Sequence, residues 1–374
     1  MIYLDSAATT MEKPPSVLRA SAWAMSHTAS PGRGSHPAAM AAANVVFACR
    51  ETAAALFCVS GPEQVVLTFH ATHALNLAIR TLVKSGDTVL ISGYEHNAVT
   101  RTLHAIPEVK VKVAAAPLFE PEQMLNAFRT GLTPEVSCVI CNHVSNVFGM
   151  IQPVEEIAAL CRERGVPFLL DASQSAGVLP VHMDELGAAF AAMPGHKGLY
   201  GPQGTGLLLC GREVEPLLFG GTGSNSLLQE MPDFLPDRLE PGTLNVPGAA
   251  GLAAGMHFVQ KTGTDAILRH ERILLRQAAE GLKKIPGIRC FAAGDIKRQT
   301  GVLSFCAEGT DCEVLGERLG AKGIAVRAGL HCSPLAHQTA GTLESGTVRL
   351  SFSVFNDARQ VERFLKVLPA CLSG

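Results

Sequence analysis

A lysine stands in Met193-Pro194-Gly195-His196-Lys197-Gly198, beside an imidazole and between two glycines. Desolvation or a neighbouring cation lowers an amine's pKa and makes it nucleophilic toward an aldehyde. Upstream, the apolar run VPFLLD ends in Asp171, a carboxylate at the edge of an interior. Buried there, it needs a cation such as a protonated ring nitrogen. Tyr94-Glu95-His96-Asn97 offers an imidazole flat enough to stack on an aromatic ring. His70-Ala71-Thr72-His73 opens a helical pattern, where free amides and the Thr72 hydroxyl make an anion site. Asn146, in His143-Val144-Ser145-Asn146, is polar and can hydrogen-bond a substrate. Taken singly, each has a plainer explanation in capping, packing or turn chemistry.

The elements that must position these residues alternate in period. Short apolar runs at 64–69, 87–92, 137–142, 166–171 and 204–210 predict strands, and 72–84, 121–130 and 154–165 predict helices. This order predicts right-handed crossovers and an α/β fold with a mainly parallel sheet flanked by helices. Ligands then bind outside the carboxyl ends of the strands. His70–Thr72, His96, Asn146 and Asp171 all follow such ends. In chain order they supply a phosphate anchor, a ring stacker, a polar substrate contact and a pyridinium partner. With Lys197 they form the set that pyridoxal 5'-phosphate requires. The glycines of 201–206 precede a strand instead of following one, so they are no dinucleotide loop.

Beyond about residue 250 a long helical pattern (264–284) precedes strands at 288–292, 301–306, 324–328 and 347–352, with helices near 311–322 and 356–369. The predicted division is an N-terminal segment 1–14 ending at Pro14-Pro15, a large domain 15–255, and a smaller α+β domain 256–374. A net charge of −2 argues against a general nucleic-acid surface. No run reaches the roughly 20 uncharged residues of a membrane span, and MIYLDSAATT lacks the features of a signal peptide. A cytoplasmic protein with reduced thiols is expected. Cys138 and Cys141 look like C-x-x-C but fall three apart in a strand, on opposite faces, so no metal site is expected there.

At these residues the sequence resembles the fold-type I, class V aminotransferase group, and within it the cysteine desulfurases and selenocysteine lyases. The resemblance is carried by YLDSAATT (3–10), ATHALN (71–76), EHNAV (95–99), HVSNVFG (143–149), DASQSAG (171–177), GHKGLYGPQGTG (195–206), RLEPGTLN (238–245), VRAGLHCSP (326–334) and GTVRLSFS (346–353). It implies that Lys197 holds the cofactor and moves the Cα proton. His96 stacks on the ring, Asp171 pairs with its nitrogen and Gln174 bonds its phenolic oxygen. Ala71, Thr72 and His196 hold the phosphate, with Thr243 lent by the partner subunit of a homodimer. Asn146 and Arg349 bind the substrate carboxylate. Two positions depart from the pattern: Pro194 stands where a phosphate-bonding serine is common, and His73 where an acid is common. A cation at His73 would compensate for the serine. Arg33 is a further candidate pocket residue.

Cys332, in Gly329-Leu330-His331-Cys332-Ser333-Pro334, lies outside any apolar run, beside His331 and near Arg327. Such neighbours favour ionisation. The resemblance places it at the desulfurase nucleophile, and the short stretch before Arg349 resembles the second desulfurase type, with its ordered loop. The activity implied is conversion of L-cysteine to L-alanine with a persulfide on Cys332, passed to an acceptor protein. Alternatives are selenocysteine lyase, a β-lyase or aminotransferase, and a non-catalytic sulfur carrier.

Overall fold

The computed structural model describes residues 1–32 and 34–372; Arg33 therefore lies outside the described residues. The strands are β1 (Ile2–Tyr3), β2 (Val65–Thr68), β3 (Thr88–Ser92), β4 (Lys110–Ala114), β5 (Val136–Asn142), β6 (Phe168–Asp171) and β7 (Phe190–Pro194). They continue with β8 (Gly206–Cys210), β9 (Ile288–Phe291), β10 (Val302–Ala307), β11 (Ile324–Ala325), β12 (Arg327–Gly329) and β13 (Thr347–Ser351). The helices are α1 (Pro15–His27), α2 (Pro37–Phe57), α3 (Ala71–Leu82), α4 (Asn97–His104), α5 (Pro121–Gly131) and α6 (Val154–Arg164). Then come α7 (Met183–Leu186), α8 (Val246–Thr262), α9 (Thr264–Leu282), α10 (Cys312–Ala321), α11 (Pro334–Ala340) and α12 (Ala358–Leu372).

The large sheet has the order β2-β8-β7-β6-β5-β3-β4. Strands β3 to β7 run parallel, whereas β8 runs antiparallel to both β2 and β7. The reason for the reversal is local. Residues 195–205 join β7 to β8 without a helix, and a parallel return needs a crossover of a dozen or more residues. Successive side chains of the central strands enter opposite cores. Val89, Ile91, Cys138 and Ile140 pack with Leu75 and Leu77 of α3 and Val99 and Leu103 of α4. Leu90, Val139 and Cys141 pack with Phe57, Met124, Phe128 and Ile157 on the other side. Cys138 and Cys141 thus face different layers.

The second sheet, β12-β13-β10-β9, is antiparallel. Leu303, Phe305, Val348 and Leu350 bury against Leu274 and Leu275 of α9, Leu315 and Leu319 of α10 and Phe364 and Leu368 of α12. The expected single strand 324–328 is two elements: β11 pairs with β1, and β12 pairs with β13. The N-terminal segment is therefore bound to this second unit, with Asp5 also bridging Ser351. Residues 255 and 256 both lie inside α8, and Gly263, at φ 84°, separates α8 from α9.

Candidate active site

The carboxyl ends of the parallel strands open into one cavity lined by Ala71, Thr72, His96, Asn146, Asp171, Gln174, His196 and Lys197, together with His70 and Pro194. Asp171 ends β6 and is buried. Its Oδ1 accepts from Ser173 N–H at 2.9 Å. Its other oxygen has no protein donor among the described residues, so a cationic ligand group has an open acceptor. His96 caps α4, its Nδ1 accepting from Ala98 N–H at 3.0 Å. Burial pushes this imidazole down to about 4, with Asp171 opposing the shift. The ring is neutral at pH 7, and the bond to Nδ1 assigns its proton to Nε2.

Lys197 sits in the β7–β8 loop, which Gly195 N–H to Thr205 O (2.8 Å) and Gly201 N–H to Gly195 O (2.7 Å) fold into a compact turn. Thr10 N–H and Oγ1 both bond His196 O at 3.0 Å. Burial lowers the Lys197 amine to about 8, Asp171 opposing and Arg349 and Arg327 assisting. Glycine is obligatory where this loop meets the Asp171 loop. A Cβ on Gly198 would lie 2.4 Å from Ala176 O, and one on Gly177 (φ +85°) would lie 2.1 Å from Gly198 O. The two motif loops are thus keyed into one another.

His196 lines the same cavity, its Nδ1 3.0 Å from Thr9 Oγ1, and burial with nearby cations lowers it to about 4. Gln174 Nε2 donates to Ala7 O at 3.0 Å. Pro194 has no donor to offer. His73 and Thr243 lie elsewhere, in a neighbouring depression beside Phe69 and Leu218. His73 stacks on Phe69 with centroids 4.9 Å apart. The residue that reaches the cavity beside Thr72 is instead His70, which caps α3 by accepting His73 N–H at Nδ1, 3.1 Å. Reading the sequence for capping residues passes over it, because histidine is outside the usual Ser, Thr, Asp and Asn set.

Cys332 and Arg349 do not line the cavity; Arg349 is bonded to its Asn146, and Cys332 to Asn97 just beyond its edge. Arg349 is buried; Nη1 donates to Asn146 O and Nη2 to Asp5 Oδ1, both at 2.8 Å, and Nε has no partner among the described residues. Cys332 O accepts from Asn97 N–H at 2.8 Å, next to His96. Of the eleven cysteines only Cys58 and Cys332 are exposed. His331 does not assist this thiol as a cation. Its Nε2 lies 3.0 Å from Thr347 Oγ1, and burial drives its pKa far down, with Arg349 and His337 assisting.

An amine, an acid with an open oxygen and a neutral ring are gathered at the strand ends of a doubly covered sheet, where α/β enzymes bind their ligands. The chain belongs to the class-V aminotransferase family, whose pattern matches residues 2–364. A probable cysteine desulfurase of Xylella fastidiosa is 32% identical over 381 residues, covering 98% of this chain and 90% of that protein. The apo structure of a cysteine desulfurase from Thermococcus onnurineus NA1 superposes with a TM-score of 0.90 at 31% identity, covering 100% of this chain and 95% of that one. The cysteine desulfurase CsdA of Escherichia coli superposes at 0.85 with 26% identity, covering 99% and 94%.

Proposed function

We propose that this chain is a pyridoxal-phosphate-dependent cysteine desulfurase that turns L-cysteine into L-alanine and leaves the sulfur as a persulfide on Cys332. One observation carries the reading: Lys197, Asp171 and His96 share a cavity, and an exposed thiol lies on a loop bonded to that cavity's Asn146. The donor set fits the cofactor. The open Asp171 oxygen suits a protonated ring nitrogen, and the neutral His96 ring suits stacking. The α3 N–H groups, Thr72 and the two imidazoles of His70 and His196 suit a phosphate. When bound, pyridoxal phosphate supplies an electron sink that stabilises a carbanion at the substrate Cα.

The chain's own groups do the rest. Lys197, with its amine near 8, takes and returns the Cα proton close to neutral pH. Asn146, which lines the cavity, and Arg349, bonded to its carbonyl, would receive the substrate carboxylate. The Cys332 thiolate attacks the substrate sulfur. An S–S bond forms, the C–S bond breaks, and its electron pair stays with the substrate carbon, which is protonated and leaves as L-alanine. A thiol on an acceptor protein then takes the outer sulfur.

A homodimer belongs to this reading. Thr243 does not line its own chain's cavity; it lines the neighbouring depression with exposed Phe69 and Leu218, and Phe219 and Leu227 of the same connecting segment are also exposed. An apolar surface of this kind suits a second copy, which would bring Thr243 to the phosphate. Eleven unpaired cysteines suit a reducing cytoplasm. The test is a product assay with L-cysteine under reducing conditions, with L-selenocysteine in parallel. The parent releases alanine; Cys332→Ala keeps the bound cofactor's visible absorbance but forms no persulfide; Lys197→Ala forms no product. Pyruvate in place of alanine, or sulfur transfer by Cys332→Ala at the parent rate, refutes the proposal.

A further inference from the structure

The backbone at the exposed thiol is held in an unusual shape. His331 and Cys332, neither a glycine, have φ 50° and 56° in succession. Left-handed backbone is uncommon for side-chain-bearing residues, and two in a row persist only where surroundings enforce them. Three bonds enforce them here. Asn97 N–H donates to Cys332 O at 2.8 Å, Ser333 N–H to Leu330 O at 2.9 Å, and Asn146 Nδ2 to His331 O at 2.8 Å.

Asn146 is the only one of these anchors that also lines the cavity. Its own side chain is fixed from the other end: fully buried Ser333 donates its hydroxyl to Asn146 Oδ1 at 2.7 Å. Its carbonyl is fixed by Arg349 Nη1 at 2.8 Å. One amide is thus bonded to residues on both sides of Cys332 while facing the place where substrate must bind.

We propose that Ser333 is a positioning residue for sulfur transfer: its hydroxyl locks the Asn146 amide in the orientation that holds the His331–Cys332 turn and so aims the thiol. Without the hydroxyl, Asn146 Oδ1 is a buried acceptor without a donor, and the amide is free to turn away from His331 O. The left-handed turn then relaxes and the thiol loses its aim, while Lys197, Asp171 and His96 stay as they are.

The inference rests on the desulfurase reading and is tested on the cofactor-loaded full chain by comparing two reactions. Exchange of the Cα proton of L-alanine for deuterium needs Lys197 but not Cys332. Alanine formation from L-cysteine needs both. With both substrates at saturation, so that any weaker carboxylate contact at Asn146 raises KM alike in the two reactions, Ser333→Ala is expected to slow alanine formation at least ~10-fold while leaving exchange within about twofold, and Ser333→Thr, which keeps the hydroxyl, to recover most of the loss. Equal loss in both reactions marks a merely structural serine and overturns the proposal, as does no loss in either. A threonine variant that melts like the parent yet transfers no faster than the alanine variant also overturns it. Should that variant melt early, the alanine comparison decides alone. A parent that forms no alanine at all refutes the desulfurase reading, whereas an active parent matched by Ser333→Ala refutes this inference only.

Discussion

His70 shows how a single side chain can hold two jobs. Its Nδ1 accepts an α3 N–H, which leaves Nε2–H as a donor in the cavity where Pro194 supplies none. His70→Ala is therefore expected to raise the dissociation constant for pyridoxal phosphate roughly tenfold, the scale of one lost hydrogen bond to a charged group. Binding of pyridoxal, which lacks the phosphate, should not change. Equilibrium dialysis against both ligands checks this. Lys197 sets a pH dependence. Its pKa is lowered from 10.5 to about 8, so the neutral, nucleophilic amine predominates above that pH. Loading of the apo protein should accelerate as pH rises through about 8 and then level off; an inflection near 10 would contradict the burial of this amine. Asp171 and His96 were legible because each follows a predicted extended run, and Lys197 because its amine sits beside an imidazole between two glycines. The pairing of Arg349 with Asp5 was not, since the two, 344 positions apart along the chain, meet through the bridge of Asp5 to Ser351 of β13.

At the scale of elements, the Asp171 and Lys197 loops are keyed by Gly177 and Gly198. Gly198→Ala places a Cβ against backbone at Ala176, which cannot yield as a side chain would. The expected result is a lower melting temperature together with weakened cofactor binding; a variant matching the parent in both would show that the loops are not interlocked. Glu271 of α9 lies buried beside Gly301, and burial raises it to about 8. Between its ordinary 4.5 and about 8 the folded state keeps a proton that the unfolded state releases, so stability falls as pH rises through that window. Glu271→Gln should therefore gain melting temperature over the parent from pH 5 to 8, by at least about 2 °C, and the gap should hold constant above. Calorimetry across that range reads it. The pattern of strands and helices that frames the cavity was legible from periodicity. Two strands were not: β7, Phe-Ala-Ala-Met-Pro, has no β-branched residue, and the Lys-Val alternation of β4 marks an exposed edge. The split of 324–328 was hidden because one extended run serves two different sheets.

For the molecule as a whole, α2 has the length and apolarity of a membrane span, yet its Arg50 is buried in an ion pair with Glu240, whose Oε1 accepts Leu67 N–H at 2.6 Å. That pair ties α2 to β2 and to the segment bearing Thr243. Removing Glu240 would leave a buried guanidinium unpaired. Exposed Phe219 and Leu227 belong to the same segment; the proposed homodimer predicts that the parent sediments as a dimer and that a Phe219→Glu, Leu227→Glu variant sediments as a monomer with weakened cofactor binding. The central claim, that the lysine of the β7–β8 loop carries the cofactor, has a direct test. Protein loaded with pyridoxal phosphate is reduced with borohydride, digested and mapped by mass spectrometry. The account predicts the cofactor's mass on the peptide containing Lys197 and none on other lysines; the label on another residue, or no label on a protein that binds the cofactor, would contradict it.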